Sequence, residues 1–143
     1  MNPSVVERLP TRDEIVDFLG REFPQNTCLV EAVGDRSATV VQQIDSAHLR
    51  PGQTVSGPVL MSVADIALYV AILGTIGLVP LAVTTSLTIN FLRKPAANRS
   101  IVGVSRLIKV GRNLIVGEVS LYSRGEADIA AHAVGTYSIP PRR

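Results

Sequence analysis

Two residues of one apolar segment, Asp65 and Gly57, have types and a spacing that could support chemistry. Asp65 is the lone charged residue in a stretch that is otherwise almost entirely apolar. Burying a carboxylate costs several kcal/mol unless it is paired or protonated, so Asp65 is a candidate general base or nucleophile. A structural hydrogen bond or ion pair to a neighbouring strand is the alternative explanation for its position.

Gly57 stands where this segment would begin as a helix. The first N–H groups of a helix have no partner within it, and the helix dipole favours negative charge there. A backbone N–H at this position could therefore stabilise an oxyanion, and the missing side chain would let a substrate carbonyl approach closely. A plain N-terminal glycine without a catalytic role is the alternative.

The spacing of Gly57 and Asp65 decides how they could cooperate. They are eight residues apart, which is roughly 12 Å along a helix at about 1.5 Å per residue. One reacting carbonyl needs both groups within about 3 Å or one water molecule. One helix therefore cannot supply both. If both residues are catalytic, Asp65 of one subunit must face Gly57 of another, which antiparallel pairing of two such helices across a twofold axis would achieve.

The segment Ser56–Gly74 is predicted to be one helix. Ser56 or Gly57 can cap it, Pro58 suits the first turn, and Gly74 can end it. Apolar residues surround its axis, so other structure must enclose it. A transmembrane span is not favoured, because the uninterrupted apolar run 66–73 is much shorter than the 18 or more residues that a bilayer requires.

Composition favours a single domain, residues 1–143, that contains much β-sheet. The chain has 143 residues, is 46% hydrophobic and carries few aromatic residues, so Val, Ile, Leu and Ala must fill its core. The net charge of +2 comes from scattered residues, which does not indicate a nucleic-acid partner but allows a small anionic ligand. The lone Cys28 and the lack of a secretory signal in residues 1–10 predict a cytoplasmic protein without an internal disulfide.

The remaining pattern predicts an α+β fold. A capped helix at about residues 11–21 precedes a core at 26–139, and residues 45–55 read as a loop. Alternating apolar residues and turn signals predict six strands: 27–33, 37–44, 81–92, 101–110, 113–123 and 127–139. One curved antiparallel sheet wrapped around the long central helix would bury that helix on nearly every side.

Four stretches of the chain together resemble the PaaI-type acyl-CoA thioesterases of the hotdog-fold superfamily. They are Ser56–Asp65 (SGPVLMSVAD), Thr88–Ala96 (TINFLRKPA), Val110–Arg112 (VGR) and Ala131–Tyr137 (AHAVGTY). The resemblance covers about residues 26–139. It implies a hotdog homodimer, often a dimer of dimers, that hydrolyses acyl-CoA thioesters without a metal or redox cofactor.

The resemblance also implies roles for individual residues. The family's carboxylate falls on Asp65 and its oxyanion glycine on Gly57. Its water-orienting hydroxyl falls on Thr84, although Thr85 lies within the error of the alignment. Where the family usually has His-Gly-Gly, this chain has Ser56, Gly57 and Pro58, so Ser56 could replace one hydrogen bond of the missing His.

Basic residues at the ends of strands could bind the phosphates of CoA. Resemblance and charge favour Arg112 first and then Arg93, Lys94 and Arg99, with a solvated surface charge as the alternative for each. His48 and His132 stand alone without metal-ligand spacing, and we expect His132 to be packed in a strand rather than catalytic.

The sequence thus predicts an acyl-CoA thioesterase acting on a small or medium acyl chain, with no nucleic-acid or membrane partner. A non-catalytic protein that binds acyl-CoA or an acyl carrier is the alternative, since the family's His is missing. A hotdog dehydratase is a third possibility, but such enzymes use a His beside the acid, and none lies near Asp65 in the sequence.

Overall fold

A computed structural model describes residues 8–141 of the chain. Residues 1–7, where the sequence predicts no secretory signal, lie outside the described residues, as do residues 142–143. The described part contains two α-helices and eight strands. In chain order they are α1 (Arg12–Glu22), β1 (Leu29–Gly34), β2 (Ser37–Gln42), β3 (Leu49–Arg50), β4 (Thr54–Val55), α2 (Gly57–Ile76), β5 (Val83–Phe91), β6 (Ile101–Val110), β7 (Leu114–Ser123) and β8 (Ala131–Ser138).

Six strands form one antiparallel sheet in the order β1-β2-β6-β7-β8-β5. The long helix α2 packs across the sheet, mainly over β6 and β2 and to a lesser extent over β7. This arrangement confirms the predicted α+β hotdog architecture. It leaves β1 and β5 as the two edge strands of a single chain.

Two glycines let α2 approach the sheet closely. Gly117 of β7 and Gly135 of β8 are paired in register, and a Cβ on either would lie 2.6 Å from a methyl carbon of Leu68. Real Cβ atoms are not found this close to another carbon, so both positions require the missing side chain. Leu68 therefore occupies the space that these two glycines leave.

We expect Gly117→Ala to lower the free energy of unfolding by about 1–3 kcal/mol, because the new methyl group would overlap Leu68 and overpack the core. Gly20→Ala is the matched control, since a Cβ at Gly20 of α1 has no atom within 4 Å. It should be neutral or stabilise by up to about 1 kcal/mol. Urea unfolding measures both, and equal effects at the two positions would contradict the close packing of Leu68.

The N-terminal helix α1 covers part of α2 that the sheet does not reach. Its start is fixed by the predicted capping box, in which Thr11 and Glu14 bond to each other's backbone N–H groups. Ile15, Phe18 and Leu19 are its buried face, and the rings of Phe18 and Tyr69 lie 6.4 Å apart. Enclosure of α2 is thus shared between the sheet and a second helix.

Residues 8–141 leave one side of α2 uncovered near its start. Pro58, Met61 and Ser62 are exposed and Asp65 is half-buried, and together these four residues form an open strip at helical spacing. The expectation that the sheet alone would enclose the helix on nearly every side is therefore wrong. A single six-stranded sheet covers one side of a helix and α1 covers another, which leaves this strip free.

Three other details differ from the sequence expectation. Residues 45–55 are not simply a loop, because they contain a 3₁₀ turn at Ser46–His48 and the β3–β4 hairpin. β8 begins at Ala131 rather than at 127, after a turn. The alternation that predicts the strand at 81–92 does not give β5 a fully buried face, because Val83 is 55% exposed and Phe91 is 53% exposed on a strand that forms the edge of the sheet within residues 8–141.

By length and composition α2 could cross a membrane, with a mean hydropathy of 2.1. However, 61% of its apolar window is buried against the rest of the domain. Because its own sheet and α1 cover most of the helix, α2 does not offer lipid an apolar surface on all sides. This packing supports the interpretation of α2 as the core helix of a soluble-type domain.

Candidate active site

Two hydroxyl groups meet the carboxylate of Asp65. Thr84 Oγ1 donates to Asp65 Oδ1 at 2.5 Å, and the Tyr137 hydroxyl donates to the same oxygen at 2.6 Å. Both partners come from the sheet, Thr84 from β5 and Tyr137 from β8. The carboxylate is thus bound to strands by hydrogen bonds, as its structural alternative predicted, and it remains half-buried at the edge of the open strip.

Strand register explains why these two hydroxyls converge. Thr84 pairs directly with Tyr137, and the register then slips before Ser86, so that Thr85 is the extra residue of a β-bulge. Thr85 Oγ1 instead bonds to the carbonyl of Thr136 at 3.2 Å. Of the two threonines that the sequence could not separate, Thr84 is the one that contacts Asp65.

Tyr137 is the site residue that sequence analysis missed. Its side chain is 3% exposed, and burial, reinforced by the nearby Asp65 charge, raises the pKa of its hydroxyl. The group therefore stays protonated and acts as a hydrogen-bond donor. A tyrosine among the inward-facing residues of a strand needs a partner for its hydroxyl, and that requirement was the available signal.

The second carboxylate oxygen of Asp65 is free for chemistry. Both hydroxyls bond to Oδ1, and Oδ2 has no hydrogen-bond partner among residues 8–141. A carboxylate held by one oxygen can use the other to accept a proton from water or to attack a carbonyl carbon. The arrangement therefore suits a general base or a nucleophile.

Gly57 is the first residue of α2, as predicted. Ser56 is the N-cap, its side chain makes no capping hydrogen bond, and Pro58 occupies the first turn. The Gly57 N–H has no hydrogen-bond partner within the described chain. It is thus an available donor at the positive end of the helix dipole. A Cβ on Gly57 would lie 3.3 Å from the ring of Phe91, so a larger side chain would crowd this position.

A cavity of about 370 Å³ opens beside Gly57. Leu60 and Phe91 supply part of its apolar lining, and Arg50, Arg93 and Lys94 bring positive charge to it. An apolar cavity with cations in its lining suits a ligand that has a hydrophobic part and an anionic part. Two of the four predicted CoA-binding residues, Arg93 and Lys94, therefore lie with the predicted oxyanion glycine.

Contacts between two segments build this cavity. The Thr54 hydroxyl of β4 donates to the carbonyl of Pro95 at 3.0 Å, which ties the β3–β4 hairpin to the segment that follows β5. The Arg93 N–H donates to Ala130 O at 3.1 Å, and its guanidinium lies 3.2 Å from the Asp128 carboxylate. The backbone that carries Arg93 and Lys94 is thus held by hydrogen bonds at residue 93 and at residue 95.

The other two predicted cations lie elsewhere in the single chain. Arg99 donates to the carbonyl of Arg124 at 3.1 Å. Arg112 lines a separate cavity with Ile76, at the far end of α2 from Gly57. The helix is 20 residues long, or about 30 Å, so Arg112 could approach the Gly57 cavity only from another subunit.

The isolated histidines have local partners. His48 Nδ1 accepts from the Asp45 N–H at 2.9 Å and closes the 3₁₀ turn. His132 Nε2 lies 2.9 Å from Glu118 on the side of the sheet away from α2, and this contact lowers the pKa of Glu118. The expectation that His132 is packed in a strand rather than catalytic agrees with this position.

Cys28 is also a packing residue. It is half-buried, and burial raises the pKa of its thiol to about 11. A thiol with such a pKa is protonated near neutral pH and is a poor nucleophile.

The two halves of the candidate site are separate in one chain. Asp65, Thr84 and Tyr137 form one cluster, and none of the three lines the cavity beside Gly57. Because Gly57 and Asp65 stand on one continuous helix, they are about 12 Å apart along its axis.

The chain was compared with families, curated proteins and solved structures. The model of the Thioesterase superfamily matches residues 52–130, which include Gly57, Asp65 and Thr84. No curated protein sequence matches the chain. The crystal structure of an inferred thioesterase from Silicibacter sp. TM1040 is 38% identical to this chain. The match covers 94% of this chain and 95% of that chain at a TM-score of 0.86.

Two more distant structures share the fold. The E. coli PaaI protein from the phenylacetic acid degradation operon is 22% identical, with 89% of this chain and 88% of that chain covered and a TM-score of 0.70. A Streptococcus mutans protein with bound acetyl-CoA is 16% identical, with 83% and 93% covered and a TM-score of 0.73. On the family match and the 38% identical structure, the chain belongs to the Thioesterase superfamily, and it has the hotdog fold of the PaaI-type proteins.

Proposed function

We propose that the protein is a cytoplasmic acyl-CoA thioesterase that hydrolyses a small or medium acyl-CoA to the free acid and CoA. The observation that carries the proposal is the Asp65 carboxylate, which two hydroxyls hold through Oδ1 while Oδ2 has no hydrogen-bond partner among residues 8–141. A half-buried acid of this kind on an otherwise apolar helix suits a reacting group better than a purely structural one. Membership of the Thioesterase superfamily supports the same reaction class.

In the proposed reaction Asp65 acts on the thioester in one of two ways. As a general base it takes a proton from water while the water oxygen attacks the carbonyl carbon, and Thr84 positions that water. As a nucleophile it attacks the carbon itself to form an anhydride, which water then hydrolyses. In both cases the C–S bond breaks, the CoA sulfur leaves and takes up a proton, and the Gly57 N–H of the partner subunit stabilises the oxyanion.

The proposal requires a homodimer, and the unpaired edge of β5 supports one. This strand has nine residues, and its Val83 and Phe91 are more than half exposed, as are the flanking Leu81 and Leu92. Long apolar edge strands are rare in isolated subunits because they pair with other chains. Pairing of two β5 edges would cover these side chains.

The open strip on α2 supports the same assembly. It is an uncovered apolar and acidic surface on the helix that carries both Gly57 and Asp65. Two such helices packed antiparallel would bring each Asp65 toward the other subunit's Gly57, since their separation along the axis is the same in both directions. Two sites per dimer follow, and a dimer of dimers would contain four.

Positive charge beside Gly57 supports CoA as the thiol carrier. Arg93 and Lys94 line the cavity together with Arg50, and phosphates of CoA are natural partners for such cations. Ser56 is the N-cap of α2, and its hydroxyl makes no capping hydrogen bond. This hydroxyl can therefore donate to the thioester or to the pantetheine. Arg99 and Arg112 remain predicted phosphate contacts that would act from the second subunit.

We expect Lys94→Ala to raise KM for acyl-CoA about three- to tenfold with little change in kcat, because a phosphate contact of this kind contributes about 1 kcal/mol to binding. KM for an acyl-pantetheine that lacks the nucleotide should not change.

The control is Lys109→Ala, which removes the chain's other lysine from an exposed position on β6. An equal rise of KM in both variants, or a rise with acyl-pantetheine as well, would show that Lys94 does not bind the nucleotide.

A non-catalytic acyl-CoA or acyl-carrier binding protein is the second candidate. The departure that favours it is Ser56 in the place of the family's usual His, since Ser56 makes no capping bond that would fix its hydroxyl. Such a protein would bind acyl-CoA without releasing thiol.

Thiol release from a panel of acyl-CoAs, including acetyl, medium-chain and aromatic examples, tests the choice directly. Turnover that Asp65→Asn abolishes supports the thioesterase. Calorimetric binding of the same ligands without thiol release would favour the binding protein instead.

A further inference from the structure

Tyr137 carries an inference about how the acid is held. Its hydroxyl lies 2.6 Å from Asp65 Oδ1 and 3.0 Å from the Asp65 backbone carbonyl. A hydroxyl has a single proton, which goes to the closer and charged oxygen, because hydrogen bonds to ionised acceptors are the stronger ones. The contact is therefore a charge-assisted hydrogen bond to the candidate catalytic group.

The two hydroxyls on Oδ1 are not equivalent. Thr84 is exposed on the edge strand β5, so its hydroxyl can exchange Asp65 for water or for a group of another molecule. Tyr137 is 3% exposed on the interior strand β8, so its hydroxyl cannot readily exchange Asp65 for water. Of the two contacts, the one from Tyr137 is therefore the better shielded from exchange with water.

Packing fixes the ring of Tyr137 in this place. The ring stacks on Tyr69 with a centroid distance of 6.2 Å and an interplanar angle of 13°. Tyr69 stands one helical turn after Asp65 on α2, and its own hydroxyl bonds to the Pro80 carbonyl at 3.3 Å. The helix that carries the acid thus also carries the surface against which its tyrosine partner packs.

We propose that Tyr137 is a positioning residue that holds the Asp65 carboxylate through Oδ1, so that Oδ2 is presented to the reacting water or carbonyl carbon. The inference rests on the proposed thioesterase function and adds a residue to it. Tyr137 donates a proton in a hydrogen bond throughout and transfers none. It need not touch the substrate.

The charged surroundings of this pair are simple. The sheet residues buried against α2 from β2, β6 and β7 carry no titratable group. On β8, Tyr137 is the residue that bonds to Asp65. The pKa of Tyr69 is raised, first by burial and second by the charge of Glu22 on α1.

The test compares Tyr137→Phe with Tyr69→Phe in the full-length protein. Tyr137→Phe keeps the ring and removes the hydrogen bond to the carboxylate, so we expect kcat to fall about tenfold with KM nearly unchanged. Tyr69→Phe removes a hydroxyl from the other ring of the stack and should leave both unchanged.

Two outcomes overturn the inference. One is a Tyr137→Phe protein with wild-type kcat, and the other is an equal fall of kcat in Tyr69→Phe, which would indicate packing instead. If Tyr137→Phe does not fold, 3-fluorotyrosine at position 137 provides the second test. Its more acidic hydroxyl changes the strength of the hydrogen bond to Asp65 Oδ1, so we expect kcat to differ from that of the wild type with KM nearly unchanged, and a wild-type kcat would overturn the inference equally.

Asp65→Asn, measured alongside, separates this inference from the proposed function. Loss of turnover in Asp65→Asn together with a normal Tyr137→Phe enzyme removes only the positioning role. Turnover that survives in Asp65→Asn removes the proposed catalytic function as well.

Discussion

Asp65→Asn is expected to lower kcat for acyl-CoA about a thousandfold, because the amide can neither accept a proton nor attack the thioester. The substitution keeps the volume of the side chain, and its amide oxygen can still accept from Thr84 and Tyr137. We therefore expect the variant to fold and to bind acyl-CoA normally. Steady-state thiol release and calorimetric binding measure the two properties separately.

Asp17→Asn is the matched control, since it removes an equal charge from an exposed position on α1. It should retain wild-type turnover. An Asp65→Asn enzyme that turns over at the wild-type rate would exclude the carboxylate from the reaction.

The second large effect concerns the composite site. Gly57→Val is expected to lower kcat about a hundredfold, because its side chain would crowd the ring of Phe91 and block approach to the N–H of residue 57. Mixed dimers of Gly57→Val and Asp65→Asn subunits should nevertheless regain activity. Each mixed dimer contains one site with both wild-type residues and one site with neither.

Co-expression with two affinity tags measures this complementation. Random assembly makes half of the dimers mixed, each with one of its two sites intact, so the preparation should reach about a quarter of wild-type activity. Dimers purified through both tags should reach about half. Mixed dimers as inactive as the two parents would mean that each site lies within one subunit, and would contradict the antiparallel pairing of α2.

The architecture and the acid could be predicted from the sequence for related reasons. Apolar residues on all sides of the segment that became α2 required enclosure, and strand alternation supplied the enclosing sheet. A carboxylate inside such a helix is costly, so Asp65 stood out without any structure. Local chemistry likewise placed Gly57 and Pro58 at the helix start.

Residues that meet Asp65 from distant strands could not be chosen in the same way. Thr84 and Thr85 are equivalent in sequence, and a β-bulge decides which of them faces the acid. Tyr137 reaches Asp65 across 72 positions of sequence, through the pairing of β5 with β8. The sequence also could not decide which predicted cations lie at the site, since Lys94 lines the Gly57 cavity and Arg99 does not.

The sequence by itself determined which groups could react and that one helix could not bring them together, because composition, capping and helical rise are local properties. Tertiary structure alone decided that two hydroxyls bind one oxygen of Asp65 while the other has no partner in the described part of the chain, because strand register and packing set those contacts. It also decided that the strip of α2 bearing this acid stays uncovered in a single chain, because one sheet and one short helix cannot enclose α2 completely.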